Sequence, residues 1–538
     1  MNGWFRSGGA WIWLTGGAVG LCLVATLGLG ALLAGQAVRI FWPQPLYQFQ
    51  LSAPDCCEQR MLGEIYARET RPSGKGADRG TWLIINTGKA AEQASFIAIP
   101  ESRIVQQSRS PDLLVVKRFS SGNEYGVLAG MREDGQPLTA DNMPRALQQR
   151  LDLIDTHRRL AASLREEQRG QLALRAQQLQ LQADEWKRQG QWTARNQART
   201  QASEVELQRR YDQLSQQLSA LESELDRDTL LLRDGQGVIQ AINMSDIEQA
   251  WYPNRMSFAA KARHAVKQVV AFVSPASPVD SLQTGAFPAI VGTVLLVMLM
   301  SVIVMPLGVM AAVYLHEYAD NNALTRFIRI AVGNLAGVPS IVYGVFGLGF
   351  FVYIVGGSLD SLFYADQLPS PTFGTPGLLW ASLTLALLTL PVVIIATEEG
   401  LSRVPPSLRH GSLALGATQA ETLWRVVLPG AAPAMMTGLI LAVARAAGET
   451  APLMLVGVIK SAPLLPVDGI FPWLHPDRKF MHLGFQIYDL AFQNPDSNAA
   501  RPLVFATALL LIVIVVSLNL AAIGLRHHLR EKYRTLSL

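Results

Sequence analysis

The sequence has little charge and almost no cysteine. Only 16% of its 538 residues are charged, whereas 49% are hydrophobic, and the mean hydropathy is +0.20. This balance is too apolar for an ordinary soluble protein of this length and indicates several membrane spans. The three cysteines, Cys22 and the adjacent Cys56 and Cys57, are too few for a disulfide framework. We interpret the adjacent pair as ordinary thiols; a bond between them, or to another chain in an oxidising compartment, is the alternative.

The sequence also lacks the motifs of common enzymes. Neither of the Gly-Lys dipeptides that end at Lys75 and Lys89 is followed by the Ser or Thr of a phosphate-binding loop. His316-Glu317 opens like a zinc-protease motif, but Asp320 stands where the second histidine is required. We therefore predict no catalytic residue, no metal site, no cofactor and no ATP hydrolysis by this chain alone. Its basic residues are interleaved with acidic ones, so no nucleic-acid partner is predicted.

Six stretches are long and apolar enough to cross a bilayer, which takes about 20 mostly apolar residues. They are Trp11 to Val38, Phe287 to Tyr314, Phe327 to Val355, Pro376 to Ala396, Ala431 to Val458, and Leu503 to Leu525. The first follows Arg6 as a signal peptide would, but its apolar core is too long and no small-residue cleavage site follows. Residues 1–38 are therefore predicted to form an uncleaved first transmembrane helix.

The basic residues predict the orientation of these spans. Arginines lie before the first span, between the second and third, between the fourth and fifth, and in the tail 526–538, whereas the loop 356–375 has no Lys or Arg. By the positive-inside rule both termini face the cytoplasm and residues 39–286 lie outside. Four basic residues in the loop 460–502 weaken the pattern without reversing it. In a bacterium, this describes a multi-pass inner (plasma) membrane protein with a periplasmic insert.

The insert at 39–286 is predicted to combine a small β-containing base with a helical hairpin. Strand-like runs, bounded by Gly, Pro and Ser, lie at 82–85, 96–99 and 113–116, and a strand pair is predicted around Asp234-Gly235. These runs assign the base to residues 45–143 and 228–250.

The hairpin is predicted over residues 144–227, where proline is absent after Pro144. Apolar residues recur there in alternating steps of four and three, which is the spacing of a coiled-coil seam: Leu207, Tyr211, Leu214, Leu218, Leu221 and Leu225. Polar residues around Gly190 suit the turn between two antiparallel helices. The hairpin is either a spacer that packs on itself or a docking surface for a partner.

The loop between the fourth and fifth spans, residues 398–430, is predicted to form two short helices, 408–415 and 418–427, broken at Gly416. Ten residues after Gly416 the sequence reads Val-Val-Leu-Pro. From the residues alone, this is a protruding helical pair on the cytoplasmic side or a re-entrant connector.

This loop resembles the EAA loop of ABC importer permeases, with His410-Gly411-Ser412 in place of the usual Glu-Ala-Ala. In that family a short coupling helix inserts into the ATP-binding subunit. The resemblance assigns this contact to Arg409, His410, Gly416, Ala417, Glu421, Leu428 and Pro429.

Two further stretches make the resemblance more specific. Arg-x-x-Gly-Glu-Thr-Ala-Pro at 445–452 and GVPSIVYGVFGLG at 337–349 resemble the A-type permease of high-affinity phosphate (Pst) ABC importers. The similarity covers the first span and residues 285–538, and the insert resembles the extra domain of longer family members. The resemblance implies an all-α polytopic membrane protein: a type I ABC importer permease bundle of about six transmembrane helices in a core at 287–525. The insert is then a periplasmic α/β domain that carries an antiparallel coiled-coil hairpin.

The resemblance also implies a function and partners. The chain would form half of an inorganic phosphate pathway, together with a second, homologous phosphate permease subunit. A cytoplasmic ATP-binding subunit dimer would hydrolyse ATP, and a periplasmic phosphate-binding protein would deliver the substrate. Phosphate-signalling regulators and membrane lipid are further expected partners. The alternatives are a permease for another oxyanion, such as sulfate or molybdate, and a membrane-anchored phosphate-signalling scaffold.

Arg445 and Glu449 are ionisable residues in an otherwise apolar predicted helix, where charge is costly. Four residues apart on a helix, they can pair, and the pair either holds the helix in register or lines a water-accessible path. The family resemblance links Arg445 to phosphate transport, and its forked donor suits phosphate oxygens. Thr450, Ser340 and Tyr343 are predicted to add hydroxyls to the same path.

Overall fold

The computed structural model describes residues 9–52, 59–72, 79–88, 96–119, 122–138, 143–275, 285–365, 371–462, 464–468, 473–493 and 497–534. These form two compact units, which we describe separately. The membrane unit is Met1–Ile40, Phe272–Ser274 and Gly285–Leu538, and the insert unit is Phe41–Ala271 and Pro275–Thr284.

The chain starts with one long apolar helix, α1, at Gly9–Phe41, which contains no charged residue before Arg39 in its last turn. Trp11 and Trp13 near its start are largely exposed, as is typical of aromatic residues at a bilayer interface. Cys22 is a free, exposed thiol on this helix. Cys56 and Cys57 lie outside the described residues.

The base of the insert unit consists of two antiparallel sheets. One has the strand order β4-β3-β2-β1-β5 and the other β10-β9-β7-β6-β11, with β8 beside β7. The predicted strand runs lie in β3, β4 and β6, and the predicted strand pair around Asp234 is β9–β10. Strands β1 to β11 are Leu46–Leu51, Gln59–Pro72, Arg79–Asn86, Phe96–Pro100, Ile104–Ser108, Leu113–Arg118, Gly122–Glu133, Gln136–Pro137, Asp228–Arg233, Ile239–Asn243 and Ile247–Trp251.

The two sheets pack on each other through an apolar cluster in which Leu46 and Leu62 of the first sheet meet Val115 and Tyr125 of the second. Glu64 on β2 lies beside the phenol of Tyr125 at this contact. Burial raises the pKa of the Glu64 carboxyl to about 7, an effect that the neighbouring hydroxyl partly offsets. This sheet contact therefore favours a protonated Glu64.

The hairpin of the insert unit is present as two long antiparallel helical arms. Helices α2 at Met143–Glu166 and α3 at Ala173–Arg188, joined by a π-helical turn, form one arm, and α4 at Ala194–Leu225 forms the other. Gly190 turns the chain between them with a φ of +69°, a conformation that suits glycine. The arms are linked by the Arg165–Glu222 ion pair and by Gln168, which donates to Ser215 at 2.7 Å.

Coiled-coil packing along the hairpin is not evident. Leu214 and Leu225 are buried, but Tyr211, which the seam places between the arms, is 47% exposed. Leu225 instead packs with Leu147 and Ile154 of α2 and with the sheet residue Leu230. The end of the hairpin nearest the sheets is thus held by packing against the apolar core of the second sheet.

Helix α5 at Phe258–Val273 belongs to the insert unit through Ala271, and its last two residues belong to the membrane unit. The helices that follow it also belong to the membrane unit. Helices α6 to α16 are Phe287–Val313, Ala323–Leu335, Ser340–Phe346, Gly357–Phe363, Leu378–Ser402, Pro406–Ala414, Gln419–Thr422, Leu428–Gly448, Leu453–Val456, Leu483–Tyr488 and Ser497–Arg534. Six helical segments of the described chain are long and apolar enough to span a membrane. They are Trp11–Phe41, Phe287–Tyr318, Ser340–Phe363, Leu378–Ser402, Gln419–Gly448 and Arg501–His528.

The fourth span, α10, lies at the centre of the membrane unit because small residues let its neighbours approach closely. A Cβ on Gly308 of the second span would lie 2.6 Å from Cγ1 of Val393. One on Gly438 of the fifth span would lie 2.7 Å from Cβ of Ala396. Both contacts require glycine, so the second and fifth spans pack directly on the fourth.

The predicted bounds of the third and fifth spans, 327–355 and 431–458, differ from the observed Ser340–Phe363 and Gln419–Gly448. The third span begins at Ser340 rather than Phe327, because the chain bends before Pro339 and α7 forms a separate helix. The fifth span ends at Gly448 rather than Val458. Glu449 leaves the helical conformation with φ −78° and ψ 125°, and only the short α14 follows Pro452.

Candidate functional site

Arg445 and Glu449 form an ion pair at the carboxyl end of the fifth span. Nε of Arg445 lies 3.5 Å from Oε1 of Glu449, and their side chains are 33% and 23% exposed. The pairing predicted from the sequence is therefore present. Glu449 is, however, the first non-helical residue after α13, so its carboxylate reaches back along the helix. A partly exposed pair at a helix break can be reached by a solute, whereas a pair in the middle of a packed helix cannot.

The break after Gly448 is held against the third span. A Cβ on Gly344 would lie 2.7 Å from Cα of Pro452, so the α8 backbone packs directly on the break. The neighbouring Tyr343 belongs to the same buried cluster as Ala446 and Ala447, which directly follow Arg445 on its own helix. The Arg445–Glu449 pair of the fifth span therefore lies close to the glycine-containing segment of the third span around Gly344.

The three predicted hydroxyls differ in their availability. Tyr343 is buried and its hydroxyl donates to the carbonyl of Leu335 at 2.7 Å. It therefore holds the bend before α8 rather than presenting a free donor. Ser340, the first residue of α8, and Thr450, in the break, are partly buried. Within the described residues neither of their hydroxyls has a hydrogen-bond partner, so these two remain candidate ligand groups.

His482 lies next to this break and was missed by the sequence analysis. Its imidazole is fully buried, and Nδ1 accepts from the Gly484 N–H at 3.1 Å. Both this ring and the Thr450 hydroxyl lie within 3.2 Å of the position that a Cβ on Gly484 would occupy. Nε2 has no hydrogen-bond partner among the described residues. Burial lowers the pKa of His482 to about 4, so the ring is neutral and Nε2 carries its proton.

The segment that carries His482 is packed rigidly on the second span. The Leu483 N–H donates to the Thr293 hydroxyl at 3.0 Å, and a Cβ on Gly292 would lie 2.0 Å from the Met481 carbonyl oxygen. No sequence pattern predicts the burial of His482, since a histidine in a long loop between spans usually lies in solvent.

The loop between the fourth and fifth spans contains the predicted break. Gly416 has a φ of +91° and separates α11 from α12. Thr418 caps α12 in a reciprocal arrangement with Glu421. The predicted second helix does not end at Val427, however. It continues through Leu428 and Pro429 into α13, so these two residues begin the long helix of the fifth span.

Arg409 ties α11 to the bundle. Its Nη1 lies 2.8 Å from Oε1 of Glu317 at the end of the second span, and its Nη2 donates to the carbonyl of Leu401 at 2.8 Å. His410 on the same helix is exposed, and Ala417 is partly buried.

Apolar side chains project from this loop. Leu415 is 92% exposed, and Leu408, Leu413 and Trp424 are also exposed. A fixed helix with exposed leucines and a free histidine is suited to docking another protein. Arg409 positions this helix, whereas the exposed residues are available for contact.

The described residues contain no group of three or more His, Cys, Asp or Glu side chains placed to hold a metal ion. The polar groups around the fifth-span break are one arginine, one carboxylate, two hydroxyls and one imidazole. A cation paired with a carboxylate, surrounded by neutral donors, can hold a small oxyanion when the carboxylate releases the arginine.

Comparison with known proteins supports a transport role. Residues 304–535 match the family model described as "Binding-protein-dependent transport system inner membrane component". The chain is 36% identical over 243 residues to "Phosphate transport system permease protein PstA 1" of Mycobacterium tuberculosis (strain H37Rv), covering 45% of this chain and 70% of that protein. It is 33% identical over 227 residues to "Probable ABC transporter permease protein YqgI" of Bacillus subtilis, covering 41% and 70%.

Among solved structures, an inward-facing MetNI methionine ABC transporter matches with a TM-score of 0.32 and 20% identity. The match covers 46% of this chain and 94% of that chain.

Proposed function

The chain belongs to the PstA family of phosphate transport permeases, inner membrane components of binding-protein-dependent transport systems, and from this premise we propose that its substrate is inorganic phosphate. It is a multi-pass inner membrane permease of the ABC transporter class. The observation that carries the substrate assignment is the Arg445–Glu449 pair at a helix break, within residues 304–535 that match the transport-system family model.

Phosphate binding at this pair would proceed by exchange of partners. With no substrate, Glu449 holds the guanidinium of Arg445. Phosphate displaces the carboxylate and takes two parallel N–H donors of the arginine fork. Glu449 then accepts a hydrogen bond from a protonated phosphate oxygen, while Ser340 and Thr450 contribute their hydroxyls. Tyr343 supports the path by fixing the bend before α8.

Motion would come from a partner that hydrolyses ATP. We propose that the loop 398–430 docks on a cytoplasmic ATP-binding subunit dimer through His410, Ala417 and the exposed leucines. Arg409 transmits the motion, because it joins α11 to the second and fourth spans. Since one chain of this type supplies half a pathway, a second homologous permease and a periplasmic phosphate-binding protein complete the proposed importer.

We propose that both termini are cytoplasmic and that residues 39–286 are periplasmic, as the basic residues indicate. The core at 287–525 carries transport, and the tail 526–538 follows it in the cytoplasm. The insert has its own sheet core, so its base at 45–143 and 228–250 is proposed as a separate folding unit. Its hairpin at 144–227 is proposed as a spacer or as a docking surface for a partner.

Phosphate uptake by the chain reconstituted with its partners tests the proposal. Vesicles that hold the complete complex and internal ATP should accumulate labelled phosphate but not sulfate or molybdate. Uptake of another oxyanion in place of phosphate would reassign the substrate. Assembly of the complex with no ATP-dependent uptake of any oxyanion would favour a signalling scaffold.

A further inference from the structure

Helix α5, at Phe258–Val273, leaves an apolar face uncovered. Its sequence, FAAKARHAVKQVVAFV, contains no acidic residue. At 100° per residue, its valines and Phe258 fall in one arc that covers about a third of the helix surface. Phe258 is 78% exposed and Val266 63%, and Val269, Val270 and Val273 are exposed as well. An exposed apolar arc of this kind marks a surface that contacts lipid or another protein.

The opposite face of α5 is already packed. The ring of His264 lies 4.7 Å from that of Trp251 at the end of β11, and Gln268 hydrogen-bonds to His264 at 2.8 Å. Burial, with Lys267 and Lys117 nearby, lowers the pKa of His264. The helix is therefore fixed in rotation by its polar face, and its apolar arc cannot turn inward.

Basic residues border the arc on both sides. Lys261 lies beyond one edge, and Arg263 and Lys267 lie beyond the other at 100° per residue. With no acidic residue on the helix, these three cations favour a negatively charged environment. An apolar arc bordered by cations is the pattern of a helix that lies in the plane of a membrane surface.

The carboxyl end of α5 is joined to the beginning of the second span. The N–H of Ala286 donates to the carbonyl of Phe272 at 2.8 Å, and Phe272 packs in one cluster with Ala286 and Ala289. The second span starts at Phe287. The last turn of α5 is therefore held at the level where the chain enters the bilayer.

We propose that α5 is an interfacial helix that lies in the headgroup layer of the membrane. Its valines and Phe258 face the acyl chains, and Lys261, Arg263 and Lys267 contact the phosphates of anionic lipids. The occupant of the exposed arc is thus lipid rather than another protein. This assignment depends on the membrane location of the chain and not on phosphate as its substrate.

Nitroxide labels on the full chain in lipid nanodiscs test the proposal. In a background without the native cysteines, Val266→Cys and Val270→Cys place labels on the arc. Val238→Cys is the matched control, because it is a similarly exposed valine in the turn between β9 and β10. We expect the arc labels to be relaxed strongly by oxygen and weakly by a water-soluble nickel chelate, with the opposite preference at position 238.

Two results would overturn the assignment. Equal accessibility of the arc and control labels to the nickel chelate would place α5 in water. Protection of the arc labels from both reagents would show that protein covers the arc.

Lipid composition tests the role of the cations. Nanodiscs of phosphatidylcholine alone are compared with nanodiscs that also contain phosphatidylglycerol. The arc labels should lie deeper with the anionic lipid, and the triple variant Lys261→Gln, Arg263→Gln, Lys267→Gln should lose this difference. The same depth in both lipids for the unmodified helix would contradict the headgroup contact.

Discussion

Arg409 in the cytoplasmic loop is paired with Glu317 at the end of the second span, with 2.8 Å between Nη1 and Oε1. The same guanidinium donates to the Leu401 carbonyl at the end of the fourth span. One side chain therefore joins the proposed coupling helix to two spans that pack on each other. A force applied to α11 by a partner would reach both spans through this residue.

We expect Arg409→Ala to uncouple ATP hydrolysis from uptake. Loss of a partly buried pair of this kind costs about 1–3 kcal/mol and leaves Glu317 with only His316 as an ionic partner among the described residues. The ratio of phosphate taken up to ATP hydrolysed by the reconstituted complex should fall. Arg403→Ala is the matched control, because Arg403 pairs with Glu399 at 3.5 Å on the exposed surface of the same loop. An unchanged ratio in the Arg409 variant would remove this residue from the coupling path.

The turn at Gly416 is expected to tolerate asparagine but not valine. Apart from its chain neighbours, no described residue comes within 4 Å of the position of a Cβ at Gly416, so its φ of +91° is what disfavours a side chain. A β-branched residue in the left-handed region costs roughly 1–2 kcal/mol, whereas asparagine adopts it more readily. Phosphate-stimulated ATPase activity should fall in Gly416→Val and persist in Gly416→Asn. Gly411→Ala, at an open helical position of α11, is the control and should be neutral.

Arg445→Ala is expected to stop phosphate uptake. Loss of a hydrogen-bonding charged donor costs about 1.5–3 kcal/mol, which corresponds to a fall of roughly tenfold or more in rate. The double variant Arg445→Ala, Glu449→Ala distinguishes the two roles of the pair. If the pair only holds the helix in register, the double variant should regain uptake, because no charge is left unpaired. If Arg445 binds phosphate, the double variant should assemble normally and still not transport.

Arg445→Lys is the conservative control for the same experiment. Lysine keeps the charge but lacks the fork, so this variant should retain part of the uptake with a raised KM for phosphate. Full activity of the double alanine variant at normal expression would refute the binding role.

The insert unit is expected to become less stable as pH rises. The folded pKa of Glu64 is about 7, whereas the unfolded value is near 4.5. Between these values the folded state retains a proton that the unfolded state has lost, so stability falls as pH rises through this window. The difference amounts to about 3 kcal/mol at most.

Hydrogen exchange in β2 and β7 of the full chain, compared at pH 5 and pH 8, measures this effect. Glu64→Gln has the same shape and no ionisable group, so its exchange protection should change much less with pH. Equal pH dependence in the two proteins would assign the effect to other groups.

The sequence was sufficient for features that depend on local composition. Apolar length alone located the six spans, and Asp234 with the residues around it predicted the β9–β10 turn. Features that depend on contacts between distant segments were not predictable. Apart from Arg445 and Glu449, the fifth span reads as apolar through Val458, but its helix ends at Gly448, and the third span packs at Gly344 on Pro452 beyond that end. The long strand β2, rich in charged residues, was also missed, since its neighbours in the sheet rather than its own periodicity stabilise it.

His482 is the clearest example of a residue that only the tertiary structure reveals. Its side chain is buried beside Thr450 by the packing of Met481 and Leu483 on the second span. In the neutral ring, Nε2 carries the N–H, and no described residue accepts a hydrogen bond from it. A buried donor without a partner is costly, typically about 1–3 kcal/mol, so a water or a transported oxyanion is expected to accept from it.

We therefore expect His482→Gln to retain more phosphate uptake than His482→Leu, because the glutamine amide supplies a donor in place of Nε2. Acidification separates this role from simple packing. The folded pKa is about 4 and the unfolded value near 6.5, so the unfolded state binds the extra proton and stability falls as pH decreases from 6.5 toward 4. The melting temperature of the complex should drop between pH 7 and pH 5 in the wild type and much less in His482→Gln. If His482→Leu melts and transports like the wild type at pH 7, the imidazole has no part in the path.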